Sequence, residues 1–407
     1  MPRRGRKGSG VPTFFEFFAG GGMVRAGLGS AWRCEFANDF DRKKCETYRR
    51  NWGDREIVCD DINNIDVERL PSTPHLVWAS FPCQDLSLAG GGAGLRGDRS
   101  GTFWPFWRRI EELGRRGPLP NFVVLENVCG TLTSHEGKDF EAIISAFNGL
   151  GLRVGAMVID AERFVPQSRP RLFFLGISSA DRVPPELMGE GPHDAWYPSP
   201  LKRAYMQLKP ALKDAWLWWR MPVPPKRTQS FADLIEAEPA DVEWHSREET
   251  RRLLAMMTTT HRKKVEQARV ARRAMVGAIY KRTRPDAEGN KVQRAEVRFD
   301  DVAGCLRTPA GGSSRQTLMI VDGKEARTRL ISARETARLM GLPDDYLLPD
   351  RYNEAYHLTG DGVVVPVVRH LSESIFLPTL TARAERARDH ASATARVSKN
   401  LKSSRIS

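Results

Sequence analysis

One cysteine, Cys83, stands between Pro82 and Gln84 in "SFPCQDLS", directly after the apolar run "HLVWAS" and just ahead of a glycine-rich stretch at 88–101. A thiol attacks as its thiolate, and only from an exposed, fixed position, which the carboxyl end of a buried strand provides. The common fate of a lone cysteine is burial as a packing residue; Pro82 and Gln84 beside it argue against that here. Two more segments place chemistry at strand ends. "NFVVLENV" is strand-like and carries Glu126 near its end, and "QSRPRLFFLGIS" sets Arg169 and Arg171 two residues apart ahead of another apolar run. Thiol, carboxyl and paired guanidiniums gathered on one sheet edge suit addition to an electron-deficient ring.

The elements that would position these groups follow from periodicity. "TFFEFF" reads as a strand, then come glycines, then an amphipathic helical pattern; "CEFAND", "REIVC", "HLVWAS", "NFVVLEN" and "RLFFLGIS" are further short strands, with a helix at 137–149. Strands alternating with helices predict an α/β fold with a mainly parallel sheet, in which ligands sit at the carboxyl strand ends. The loop "FFAGGGMVRAGL" lacks the G-x-G-x-x-G pattern and any following Lys-Ser or Lys-Thr, so it is no phosphate loop. Gly20 and Gly22 would let backbone approach a ligand, though alone the loop reads equally as a tight turn. Its companions favour the ligand. Asp39 ends the next strand about twenty residues on, a spacing that suits ribose hydroxyls; Phe40 beside it offers a ring to adenine, and Asp61 follows a third strand end.

Past residue 180 the chain turns rich in proline and glycine, then strongly helical over 246–282, opened by Ser246 with Glu249 three residues later, and then into short strands and turns. A helical pattern returns near 326. The charge is localised: the total is +13, of which residues 1–10 hold +4, 244–298 hold +9 and 382–407 hold +5, leaving −5 for the remainder. Localised basicity points to a polyanion partner, with solvated helix faces and disordered tails as the plainer reading. Six singly scattered cysteines with no C-x-x-C pair argue against a metal site and for a reducing compartment. No run approaches 18 uncharged apolar residues and no apolar segment follows the basic start, so neither a membrane span nor a signal peptide is expected.

In order and spacing, "FAGGG", "SFPCQDLS", "ENV", "QSRPR", "RLISARETARLMGLPDDY" and "GDGVVVPVV" resemble the motifs of the DNA cytosine-5 methyltransferases, over about residues 11–178 and 326–378. The resemblance implies a Rossmann-like methyltransferase domain (11–178 closed by 326–381), an inserted target-recognition domain (179–325) and two basic disordered tails (1–10 and 382–407). It implies that Cys83 adds to carbon 6 of cytosine, that Glu126 holds the exocyclic amine and N3, and that Arg171, supported by Arg169, binds O2. S-adenosylmethionine, leaving as S-adenosylhomocysteine, would be held by Phe18, Gly20, Gly22, Asp39, Phe40, Asp61, Ile62, Pro82, Asn127 and Asp361, with no metal. Duplex DNA would be contacted by Gln84, Ser87, Gln167, Arg262, Lys263, Lys264, Arg307, Ser313, Ser314, Arg315 and Gln316, and the glycine-rich stretch 88–101 would close behind a flipped base. The expected protein is a cytoplasmic, nucleoid-associated monomer, with a cognate restriction endonuclease as a candidate partner. A methyltransferase acting on RNA and a catalytically silent DNA-binding module are the alternatives. One departure stands out: the family's Gly-Asn-Ser-Val appears here as Gly360-Asp361-Gly362-Val363.

Overall fold

All five residues of the strand Thr13–Phe17 (β1) are buried, the pattern of a strand covered on both faces. It lies in the middle of a seven-stranded sheet with Arg33–Asp39 (β2), Ile57–Cys59 (β3), Leu76–Ala79 (β4), Phe122–Val128 (β5), Leu152–Asp160 (β6) and Pro170–Ser178 (β7), in the order β3-β2-β1-β4-β5-β7-β6. β1 pairs parallel with β2 and β4, β2 with β3 and β4 with β5, whereas β7 runs antiparallel to both of its neighbours. The order reverses beside β1, so the carboxyl ends of β1, β2, β4 and β5 diverge there and open a crevice. The computed structural model describes residues 10–82, 102–271, 273–285, 289–307 and 315–403, with side chains through 390 and at 392.

Helices cover both faces. Met23–Leu28 (α1), Arg42–Trp52 (α2), Phe103–Arg116 (α3) and Lys138–Gly149 (α4) are the crossovers. Asp41 caps α2 by accepting from the Lys43 and Lys44 amides, which fixes where β2 hands over to helix. A short ribbon, Met188–Gly189 (β8) with Trp218–Trp219 (β9), and the helices Ser199–Gln207 (α5) and Pro210–Lys213 (α6) pack against β6 and α4. Trp196, Tyr197, Leu201 and Trp219 are fully buried in the main core. The segment expected to begin the recognition domain at 179 therefore belongs in its first part to the large domain.

A separate core of Leu253, Met257, Val265, Ile279, Val297, Met319 and Val321 defines the smaller unit. It consists of Arg247–Ala255 (α7), Thr259–Arg269 (α8) and an antiparallel sheet of Met275–Pro285 (β10), Lys291–Arg298 (β11), Thr317–Asp322 (β12) and Glu325–Leu330 (β13), ordered β11-β10-β12-β13. The predicted long helix over 246–282 is in fact two helices and a strand. "MVGAIY" carries β-branched and aromatic residues, and the Phe299 ring stands 2.6 Å from where a Gly277 Cβ would be, so this stretch lies in the sheet under Phe299.

The chain returns to the large domain through Ala333–Leu339 (α9), Tyr352–Asp361 (α10), Val365–Leu371 (α11) and Leu377–Ser403 (α12), the last two joined by a π-helical turn. Of the tail expected to be disordered from 382, the described part is helical to Ser403 as the end of α12; its run of Ala and Arg has high helix propensity, and Arg383 pairs with buried Asp181 at 2.9 Å. The run Tyr352–His390 is apolar enough to span a membrane by length and composition, but 56% of its most apolar window is buried inside the fold, as expected of core helices.

Candidate active site at the strand ends

β1 ends in a turn of unusual backbone: Phe18 has φ 55°, Gly20 φ 55° and Gly22 φ 80°. The two glycines serve different ends. A Cβ at Gly22 would strike the Trp52 indole at 2.4 Å, so this glycine admits the α2 side chains Trp52 and Tyr48. A Cβ at Gly20 would meet no atom within 4 Å, so Gly20 faces open space. Asp39, at the end of β2, ties the turn down: its Oδ2 accepts from the Gly20 amide at 2.8 Å and its Oδ1 from the Asp41 amide at 2.9 Å. Burial raises the Asp39 carboxyl above its ordinary range. Phe40 next to it is 68% exposed, the reverse of normal aromatic burial. Asp61 caps the turn after β3 through the Asn63 amide, and Ile62 is buried beneath it. Behind the turn, Glu16 of β1 accepts from the Val24 amide at 3.3 Å, and burial pushes its carboxyl up to about 8.

On the other side of the crevice, register builds the second half of the site. Arg171 lies opposite Val128 and Glu126 opposite Phe173 in the β5–β7 ladder. Residues 126 and 128 share a face, so Glu126 and Arg171 are diagonal neighbours on it. Arg171 Nε lies 3.2 Å from Glu126 Oε1, with both side chains largely buried. Cys305, which sequence reasoning passed over, sits against this pair: its Sγ is 3.8 Å from Arg171 Nη2 and 3.4 Å from Arg169 Nη1. Burial alone would raise the Cys305 thiol, but the Arg169 and Arg171 guanidiniums outweigh it and hold the thiol below its ordinary value. Its signal in the sequence was faint, because it follows a turn and precedes no strand.

Several expected contact residues are placed differently. Arg169 is buried and donates to the carbonyls of Leu306, Gly360 and Gly362 at 3.0, 2.8 and 2.8 Å. It is a clamp joining three chain segments next to Arg171. Gln167, expected on DNA, is fully buried, donating to Leu339 O and accepting from the Leu306 amide. Gln316 is likewise buried, with its Nε2 on Ile279 O. Both amides were available to backbone groups that burial leaves without water, and those groups claimed them. Asn127 donates to Phe81 O at 3.2 Å and so fixes the chain leading through Pro82 towards position 83. Arg262 caps α7 through the carbonyls of Leu254 and Ala255, while Lys263 beside it is exposed and Lys264 half-buried. Arg307 is exposed; Arg315 donates to Asn353 Oδ1 and lies over the Tyr352 ring. Cys83, Gln84, Ser87, Ser313, Ser314 and the glycine-rich stretch 88–101 lie outside the described residues.

Asp361, the departure noted in the sequence, ends α10 and receives Lys44 Nζ of α2 at 2.8 Å. A cavity of about 980 Å³ lined by Asp41, Lys44, Arg315, Tyr352 and His357 adjoins this pair but does not include Glu126 or Arg171. Among the described residues no group of three or more His, Cys, Asp or Glu side chains could hold a metal ion.

The model of C-5 cytosine-specific DNA methylases matches residues 12–377. The chain is 25% identical over 364 residues to the Type II methyltransferase M.NlaX of Neisseria lactamica, covering 88% of this chain and 95% of that one. It is 24% identical over 365 residues to the Type II methyltransferase M.HhaI of Haemophilus parahaemolyticus, covering 89% and 93%. Among solved structures, the S. pombe Dnmt2 methyltransferase superposes with a TM-score of 0.56 at 17% identity over 91% of this chain and 99% of that one. The Entamoeba histolytica methyltransferase EhMeth does so with 0.55 at 12% identity over 90% and 98%. These last two likenesses speak for the fold.

Proposed function

The chain belongs to the C-5 cytosine-specific DNA methylase family and is a DNA (cytosine-5) methyltransferase, and from that premise we propose that it methylates carbon 5 of a cytosine within a specific duplex sequence, using S-adenosylmethionine and a covalent bond from Cys83. The observation that carries this reading is the Glu126–Arg171 pair, held at 3.2 Å beside Asn127, which binds Phe81 two residues ahead of Cys83 in the sequence.

The residues of the β1–β2 end fit a nucleoside-bearing donor. Gly20 leaves open space where a side chain would stand, Phe40 offers an exposed ring, and Asp39 offers a carboxylate beside both. In this reading Gly20, Asp39, Phe40, Asp61 and Ile62 hold the donor, with Phe18 and Gly22 shaping the turn and Pro82, Asn127 and Asp361 bordering it. Bound there, S-adenosylmethionine supplies an electrophilic methyl group on a sulfonium.

Carbon 5 of cytosine is a weak nucleophile. Addition of the Cys83 thiolate to carbon 6 forms a C–S bond and moves the ring electrons towards carbon 5 and N3. Glu126 holds the exocyclic amine and favours protonation at N3, and Arg171 stabilises negative charge developing at O2. After carbon 5 is methylated, loss of its proton restores the double bond as the thiolate leaves, so Cys83 ends as it began. A stacked base cannot reach Cys83, so the cytosine must leave the duplex. The smaller domain, with Lys263, Lys264, Arg307, Arg315 and residues 308–314, carries the DNA contacts in this reading. The enzyme works as a monomer in the cytoplasm where the DNA lies, and the Type II relatives make a cognate restriction endonuclease a candidate companion.

Incubation with methyl-labelled donor and either duplex DNA or RNA tests the substrate. Bisulfite sequencing of DNA from expressing cells then gives the site. Label in RNA alone overturns the reading. Duplex DNA carrying 5-fluorocytosine at the mapped site should trap a covalent adduct, and Cys83→Ser should form none and show no turnover while still binding DNA.

A further inference from the structure

Asp361 is held from two directions. Its neighbours Gly360 and Gly362 each lend a carbonyl to Arg169 Nη2 at 2.8 Å, and Arg169 neighbours Arg171 through Cys305. Its side chain instead points to α2, where Lys44 Nζ reaches Oδ2 at 2.8 Å from 317 residues away in sequence. Lys44 lies among carboxylates: burial would lower its ammonium pKa, but Asp361, Asp39 and Asp41 outweigh that and raise it. Asp39, Lys44 and Asp361 thus form a row of alternating charge with a net of −1, running from the β2 end towards the clamp beside Arg171. The Lys44 side chain is 22% exposed and that of Asp361 42% exposed, so the pair borders solvent-accessible space.

This arrangement has a consequence for a methyl donor, and it rests on the functional reading above. Transfer requires the sulfonium to lie between the β1–β2 end and the Glu126–Arg171 end, and Asp361 is fastened to α2, which follows β2, and through Arg169 and Cys305 towards Arg171. The donor carries one more positive charge than the spent product. We propose that the Asp39–Lys44–Asp361 row sets the charge of the donor pocket, with Asp361 favouring the cationic donor over its neutral product and Lys44 holding Asp361 in place and limiting its field. The pair is then a specificity determinant that helps the product leave.

Calorimetric titration of the purified enzyme with S-adenosylmethionine and, separately, S-adenosylhomocysteine tests this, with the ratio of product Kd to donor Kd as the readout. Asp361→Asn brings the row to zero and should lower the ratio by about three- to tenfold, the size of one partly screened charge at such range. Lys44→Met brings it to −2 and should raise the ratio by a similar factor. The double substitution restores −1 and should return the ratio close to the wild-type value. A purely structural role would weaken both ligands together and leave the ratio unchanged. Equal ratios in all four proteins, or single substitutions that move the ratio the same way, overturn the proposal. Should Lys44→Met not fold, Asp361→Asn alone decides, because Asp361 is part-exposed and its backbone contacts do not depend on its side chain. A wild-type protein that binds neither ligand would instead overturn the donor assignment itself.

Discussion

Glu126 and Arg171 are diagonal neighbours on one face of the β5–β7 ladder and both are largely buried, so each is oriented before any base arrives. Groups oriented in this way act on the transition state more than on binding. Glu126→Gln and Arg171→Lys are each expected to lower the single-turnover rate by roughly 10² or more, with DNA affinity changed far less. A variant that lost binding but kept its rate would show the pair to be structural. Glu16 makes a different prediction. Its carboxyl titrates near 8 in the folded protein, against 4.5 when exposed. The folded state then holds a proton that the unfolded chain has lost, so this contribution to stability is full below about 4.5 and fades as pH rises through 8. Glu16→Gln should raise Tm by roughly 5 °C at pH 8.5 and change it little at pH 5, which thermal melts at the two pH values would show. What was legible at this scale was whatever lay within one motif. Asp39 announced itself by its distance from the glycines, and Glu126 and Arg171 by their strands. Lys44 and Cys305 did not, because each acquires its meaning from partners well over a hundred residues away in sequence.

The turn between β1 and α1 shows how one motif contains two kinds of constraint. Gly20 and Gly22 look alike in "FAGGG", yet one opens on space and the other on the Trp52 ring. Gly22→Ala forces a Cβ into the indole at a positive φ and should lower Tm by several degrees, roughly 2–4 kcal/mol at the upper end. Gly20→Ala carries the αL cost of about 1 kcal/mol but no clash with the protein. Its expected effect is weaker binding of S-adenosylhomocysteine, with Tm near wild type. Paired melts and titrations of the two variants separate these outcomes, and identical behaviour would remove Gly20 from the donor site. Periodicity located the strands of this sheet well where apolar runs were short and bounded by polar ends, as in "HLVWAS" and "NFVVLEN". It failed at "MVGAIY", where basic helix-formers ran straight into strand residues with no glycine-proline break, and it passed over β6, whose apolar run follows a helix directly.

At the scale of the whole molecule, the large domain is slightly acidic and the basic charge is carried by the inserted unit and the chain ends, an arrangement suited to holding a polyanion against a crevice. The sequence showed that +9 resides in 244–298 but not which side chains face outward, since that depends on the β10–β11 register. The hairpin has two unlike faces. On one, Arg282 and Arg284 are both paired to Glu296 of β11, at 3.4 and 2.9 Å. On the other, Lys281 and Thr283 lie across from Ala295 and Gln293, with Lys291 at the end opposite Pro285. Lys281 and Lys291 are exposed and make no ion pair with a described residue. Arg262 also has a local task in capping α7, so it is a poor probe of DNA binding. The double change Lys281→Gln with Lys291→Gln should therefore leave Tm near wild type. It should reduce the slope of log affinity against log salt by up to about 0.9 for each phosphate that is no longer neutralised, on specific and random duplexes alike. Glu296→Gln should act in the opposite direction: it releases Arg282 and Arg284, so non-specific affinity should rise and its salt slope steepen. If filter-binding or anisotropy titrations over a range of salt show neither change, the hairpin stands clear of the DNA and the phosphates are held by Lys263, Lys264 and the chain ends.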